Sequence, residues 1–135
     1  MSEFKNNFCV EFEVRDYECD LQGVVNNANY LHYLEHARHM FLLSKGISFI
    51  NLHEEGIDLI VTKVEIEYKF PLRSQDKFIV RVSIQREGNA RLVFLQDIYQ
   101  IPDERLVVHA KVTGVATKKG RPVPPGNLLE KLGFV

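Results

Sequence analysis

One stretch of helical period, set among stretches that alternate residue by residue, constrains this chain more than any other feature. Between Ala28 and Lys45, Tyr30, Leu34, Ala37 and Phe41 recur at helical spacing, flanked by Leu31, Tyr33, Met40 and Leu42. The spacing predicts a helix of about five turns, apolar over a wide arc and therefore buried. Lys45-Gly46 supplies a cationic last turn and a glycine C-cap. Elsewhere the period is two, as in a half-buried strand. Phe8, Val10, Phe12 and Val14 fall on one side of the opening stretch, with Cys9, Glu11, Glu13 and Arg15 on the other. Val64, Ile66, Tyr68 and Phe70 alternate in the same way until Pro71 ends the ladder, and Phe78, Val80, Val82 and Ile84 follow. A turn at Glu87-Gly88-Asn89 leads into a strand at Arg91–Ile101, and Pro102-Asp103-Glu104 turns into another at Leu106–Thr117.

The segments between are irregular. Asp16–Asn27 reads as a loop, and Ile47–Gly56 as a connection with room for a helical turn. The tail, Lys118–Val135, rich in Gly and Pro, reads as mostly irregular. Strand, long helix, then four strands joined by short turns favours antiparallel pairing with the helix covering one face. The expectation is a single α+β domain over residues 1–135, one antiparallel sheet wrapping a central helix. At 135 residues such a domain buries roughly two thirds of its unfolded surface and needs no staple.

Charge and cysteine usage exclude several classes. Seventeen Lys and Arg against 18 Asp and Glu give a formal net charge of −1, against a nucleic-acid binder, which needs a basic surplus. Cys9 and Cys19 are too few for a disulfide framework or a zinc site. Met1–Asn7 is polar, without the apolar core of a signal peptide, and no apolar run reaches the ~18 residues of a membrane span. The chain is expected to be cytoplasmic, with reduced thiols.

Asp16-Tyr17-Glu18-Cys19-Asp20-Leu21-Gln22-Gly23-Val24-Val25, then Asn29-Tyr30 and Leu34-Glu35-His36-Ala37-Arg38, resembles the signature of the 4-hydroxybenzoyl-CoA thioesterase family. In that pattern Asp-x-x-Gly-x-Val precedes Asn-Tyr and a helix carrying Glu-x-Ala-Arg. Tyr68-Lys69-Phe70-Pro71-Leu72 is similar to the family's Tyr-x-x-Pro-Leu segment, and Gly120-Arg121-Pro122-Val123 to its closing turn. The resemblance covers nearly the whole chain. It implies a hotdog fold that dimerises by joining sheets and often pairs again into a homotetramer. It also implies an acyl-CoA thioesterase without cofactor or metal, with Asp20 as the catalytic carboxylate and the backbone N–H of Asn27 as oxyanion donor. Many members carry an aromatic-His or aromatic-aromatic pair just before Asn-Tyr. Asn26 and Asn27 stand there in this chain, so no imidazole is available from that position.

The chemistry suits so small a set of groups. A thiol leaving group has a pKa near ~8.5 and departs as thiolate without a strong general acid. A carboxylate can activate water or attack directly, and unpaired N–H groups at a helix start can hold the oxyanion. Asp20 lies in the loop ahead of the helix and Asn27 where the helix begins; Gly23 would let a thioester approach the backbone closely. Loop aspartates more often close Asx-turns, and it is the Asp-x-x-Gly-x-Val context that favours catalysis for Asp20. Asn29 is read as a capping residue, and Glu35 with Arg38 as a surface or interface ion pair. Lys69 and Arg73, flanking Pro71, are the residues chosen to grip CoA phosphates. Lys63, Arg86, Arg91 and Arg121 are read as solvated strand edges.

Two patterns invite other chemistry. His32-Tyr33-Leu34-Glu35-His36 fits the H-x-x-E-H pattern of a zinc-peptidase class, but that class needs a carboxylate from a second long helix, which this sequence lacks. Cys19 beside Asp20 is read as a buried, inert thiol. The rival reading from another class is a non-catalytic hotdog protein that binds acyl-CoA or acyl-carrier protein. A dehydratase on the same fold would want a catalytic His, and ranks behind both.

Overall fold

The computed structural model describes residues 5–124 and 127–134. Strand β1 (Lys5–Glu13) leads through a 3-10 turn (Asp16–Glu18) into helix α1 (Asn27–Ser44) and a short helix α2 (Phe49–Glu54). Strands β2 (Ile57–Tyr68), β3 (Lys77–Glu87), β4 (Arg91–Ile101) and β5 (Arg105–Lys118) follow, then the two-residue β6 (Arg121–Pro122) and helix α3 (Asn127–Lys131). The strands form one antiparallel sheet in the order β1-β3-β4-β5-β2, with β6 against the end of β5. This is the expected α+β hotdog architecture, a curled sheet around one long helix.

The core sits between sheet and helix. Tyr30, Tyr33, Leu34, Ala37, Phe41 and Leu42 are buried on α1. They meet Phe78, Val80, Val82 and Ile84 of β3, and Leu92, Phe94 and Ile98 of β4. Phe12 stacks on Phe78 with rings 5.1 Å apart, and Tyr33 packs against Phe78 at 4.8 Å. Each such side chain contributes about 1.5–3 kcal/mol by leaving water. Gln96 is the polar exception in this layer: fully buried on β4, its Nε2 donates to the Leu34 carbonyl of α1 at 2.9 Å.

The helical turn for which the connection after α1 has room is present as α2, capped by Ser48. The structure departs from the sequence reading in three places. The tail is not mostly irregular, because Asn127–Lys131 is helical and Leu128, Leu132 and Phe134 are buried in the core; Pro125, Gly126 and Val135 lie outside the described residues. Strand β2 starts at Ile57, well before the alternation at Val64, because the register shifts between Val61 and Lys63 and breaks the period. Finally, β2 and β3 are not neighbours: β2 pairs with β5 at one edge, while β3 lies between β1 and β4. The link between them carries Leu72, which is fully buried beneath the start of α1.

Two buried phenols give the fold an alkaline limit. Burial, then a hydrogen bond from its hydroxyl to Glu18, pushes Tyr33 above the ordinary tyrosine value; burial likewise raises Tyr30. The folded chain therefore holds protons that the unfolded chain releases near pH ~10. Below that pH these groups leave stability unchanged, and above it stability falls as pH rises. In thermal unfolding followed between pH ~9 and ~11, Tyr33→Phe is expected to flatten this fall while lowering neutral-pH stability by about 1 kcal/mol.

Candidate active site

The loop ahead of α1 is a built hairpin. Its ladder runs from Glu18 O, which accepts from Asn26 N at 3.1 Å, through the bridge Cys19–Val25, to Asp20 N, which donates to Val24 O at 2.8 Å. Gly23 N donates to Asp20 O at 3.0 Å, and Gly23 has φ +81°, so three residues close the hairpin with a left-handed glycine. That backbone conformation is the observed reason for a glycine here. A Cβ at Gly23 would meet only Arg73 Nη1, at 3.9 Å.

Asp20 has two dissimilar oxygens. Oδ1 accepts from Gln22 N at 2.8 Å and from Val24 N at 3.4 Å, an Asx-turn. Oδ2 has no partner among the described residues, and the side chain is exposed. One oxygen therefore orients the carboxylate while the other is unbonded among the described residues.

The helix start lies two ladder rungs away, about 7 Å of strand. Asn26, not Asn29, is the N-cap: its Oδ1 accepts from Ala28 N at 2.9 Å. Asn29 instead ties helix to loop, its Nδ2 donating to Glu18 O at 2.8 Å. Asn27 is the first helical residue, and its N–H is left without an acceptor among the described residues. Glu18 anchors the assembly from below, with Oε1 accepting from Tyr33 OH at 2.9 Å and from Arg15 N at 2.8 Å. Sequence reasoning passed over Glu18; its place three residues after Arg15, opposite a buried tyrosine of the next helix, was its only signal.

Of the residues expected at a CoA site, the structure brings Arg73 alone to this loop. Arg73 bridges Val24, and its guanidinium lies over Gly23 without an ion pair among the described residues. Lys69 leans on Glu67 at 3.7 Å. Glu35 and Arg38 do not pair with each other: Glu35 lies 3.9 Å from His39, and Arg38 Nη1 donates to Gln96 Oε1 at 3.0 Å. Cys19 is half-buried rather than buried, and burial followed by the charges of Asp16, Asp20 and Glu18 pushes its thiol up. His32 Nδ1 sits 3.2 Å from Asn29 Oδ1, while the His36 ring meets the Phe12 edge. Among the described residues no group of three or more His, Cys, Asp or Glu side chains is arranged to hold a metal.

A groove of about 730 Å³ between β1 and α1 is not lined by Asp20, Gly23 or Asn27. Glu11, Glu13, Asp16 and Glu18 line it against Arg15, a poor setting for phosphates. In the single chain the Asp20 loop is open to solvent, and Leu21 at its tip is fully exposed.

Residues 14–132 match the model of the thioesterase-like superfamily. The chain belongs to that superfamily. It is 41% identical over 126 residues to the chloroplastic acyl-acyl carrier protein thioesterase ATL3 of Arabidopsis thaliana, covering 91% of this chain and 64% of that one. With the long-chain acyl-CoA thioesterase FadM of Escherichia coli it shares 30% identity over 126 residues, covering 90% of this chain and 94% of that one. The chain spans 64% and 56% of the lengths of two Arabidopsis relatives it matches. A solved 1,4-dihydroxy-2-naphthoyl-CoA thioesterase from Synechocystis superposes with a TM-score of 0.89 at 21% identity, covering 94% of this chain and 95% of that one, a likeness of fold. Among the described residues no helix of this superfamily member is long and apolar enough to cross a membrane.

The Asx-turn separates two substitutions at Asp20. Asn keeps the Oδ1 acceptor, so Asp20→Asn is expected to unfold in denaturant within about 0.5 kcal/mol of the native chain. Asp20→Ala, which leaves two N–H groups unanswered, is expected to lose about 1 kcal/mol.

Proposed function

We propose that this chain hydrolyses the thioester of an acyl- or aroyl-CoA to the free acid and CoA, with Asp20 and the Asn27 N–H as its catalytic groups. The observation that carries this reading is the pairing of an oriented carboxylate, one oxygen unbonded, with an unanswered N–H at a helix start. As a base, Asp20 takes a proton from water whose oxygen attacks the thioester carbon. As a nucleophile, it forms a mixed anhydride that water then opens. Either way the carbonyl oxygen gains charge where the Asn27 N–H and the helix dipole favour it, and the C–S bond breaks to release thiolate. Gly23 shapes the hairpin that aims Asp20. Arg73, beside this loop, is the better placed grip for a CoA phosphate; Lys69 is the weaker one.

A second copy completes the site in this reading. Strand β2 is a sheet edge, and Ile60, Val61, Val64 and Tyr68 along it are 41–47% exposed, a long edge unusually rich in apolar surface. Tyr68 at its end packs on Tyr30 of α1 with rings 5.6 Å apart, so this edge adjoins the catalytic loop. Two β2 edges would join in a homodimer and cover the open loop, with further pairing into a homotetramer expected from the family resemblance. Free Cys9 and Cys19 suit a reducing, cytoplasmic setting.

Asp20→Asn tests the reading, since it keeps the hairpin. Hydrolysis of acyl-CoA substrates, followed by thiol release, is expected to fall about 10²–10⁴-fold in kcat. A folded Asp20→Asn protein with native turnover would overturn the assignment. Tight acyl-CoA binding by the native chain without hydrolysis would instead favour the non-catalytic binding protein.

A further inference from the structure

Glu18 fastens the Asp20 hairpin to one stripe of α1. Its carbonyl accepts from Asn26 N at 3.1 Å and from Asn29 Nδ2 at 2.8 Å, and its Oε1 accepts from Tyr33 OH at 2.9 Å. Asn26, Asn29 and Tyr33 stand at i, i+3 and i+7, the spacing of one helical face. Asp20 lies two residues beyond Glu18 on the same arm of the hairpin, and Asn27 lies two residues before Asn29 in the first turn of α1. The bond from Asn29 to Glu18 thus spans the gap between the carboxylate and the N–H that must meet one thioester. Asn26 N and Asn29 Nδ2 reach the same oxygen from two residues of the helix entry, so the first turn cannot pivot about either bond.

The Asn29 amide is engaged at both ends. Nδ2 donates to Glu18 O, which leaves Oδ1 to accept, and His32 Nδ1 lies 3.2 Å from it, one turn further along the helix. That contact is a hydrogen bond when His32 carries its proton on Nδ1. A flipped amide would set Oδ1 against the Glu18 carbonyl and Nδ2 against the His32 N–H, so the two partners together select one orientation. Glu18, His32 and Tyr33 line the groove on the β1 side of α1, whereas Glu35, Arg38 and His39 face the β2 edge on its other side. These bonds form within one chain, and joining two β2 edges leaves them intact.

We infer that Asn29 is a positioning residue for thioester hydrolysis, fixing the Asn27 N–H against the Asp20 carboxylate while His32 holds its amide in the working orientation. The catalytic part of this inference rests on the thioesterase reading. Asn29 itself contacts no reacting atom in that scheme. The attacked carbon and the oxygen that gains charge are one bond apart, so base and oxyanion donor must keep their separation to a fraction of an ångström, and a shift of about 1 Å costs about 10²-fold in rate.

Asn29→Asp is nearly isosteric, and its carboxylate suits the first turn of a helix, but it cannot donate to Glu18 O. Its melting point should stay within about 4 °C of the native value while kcat for acyl-CoA hydrolysis falls about 10–10²-fold and KM stays within about twofold. Asn29→Ala, which adds no charge near the oxyanion, should show the same split. His32→Gln, whose Nε2 can donate to the Asn29 oxygen, should retain more kcat than His32→Ala; equal values in the two would overturn the part given to His32. Native kcat in folded Asn29→Asp and Asn29→Ala, or a loss confined to KM, would overturn the inference. Amide hydrogen exchange separates it from the thioesterase reading. In Asn29→Ala the amides of Asp20 and Asn26 should exchange faster, with those of β3 and β4 unchanged. Faster exchange there, in a protein whose native chain hydrolyses no acyl-CoA, would overturn the thioesterase reading and keep Asn29 as the residue that fixes the helix start against Asp20. Unchanged exchange would overturn the inference whatever the chain hydrolyses.

Discussion

Leu72 is the point on which the candidate site rests. Its carbonyl accepts from Val25 N at 2.8 Å, and its N–H donates to Tyr30 OH at 3.0 Å, deep in the core. One buried residue of the β2–β3 link thus fastens the Asp20 hairpin and the first turn of α1 to each other. A buried N–H or carbonyl left without a partner costs about 1–3 kcal/mol, so each of these bonds holds its element in place more firmly than a surface contact would. Pro71 before it cannot extend the β2 ladder, and Arg73 after it leaves the core towards Gly23. The same link therefore stops a strand, locks the loop and delivers a cation to it.

From this clamp the chemistry follows by local rules. The hairpin fixes Asp20 through the oxygen that serves the Asx-turn, and so leaves the other oxygen in a defined direction. The cap at Asn26 satisfies Ala28 and leaves Asn27 as the unanswered donor. Asp20 is therefore both the turn residue that its position suggests and a carboxylate with a free oxygen. The structural and the catalytic readings draw on different atoms of one side chain.

Much of the architecture was legible because periodicity and side-chain burial coincide. Arg91–Ile101 was legible to the residue, and α1 within one residue at each end, since both carry unbroken patterns bounded by turn residues. The start of β2 was hidden by the register shift after Val61, which moves the side chains out of phase. The sheet order was hidden because alternation reports which face a residue takes and not which strand lies beside it. Within the site, Asp20 and Gly23 stood out through the family resemblance of Asp-x-x-Gly-x-Val, whereas Glu18 and Arg38 act through Tyr33 and Gln96, partners distant in sequence. Such contacts come from the packing of helix on sheet, and a linear pattern does not encode them.

The central claim, that the first N–H of α1 holds the charge formed on the thioester oxygen, can be tested at a single atom. Proline is accepted at the first position of a helix, and Asn26 ahead of it already has the extended conformation, φ −65° and ψ 139°, that a following proline requires. Asn27→Pro therefore deletes that N–H with little effect on the fold. With a melting point near the native value, the variant should lose about 10²–10³-fold in kcat for acyl-CoA hydrolysis. A folded Asn27→Pro protein that turns over thioester at the native rate would contradict the account.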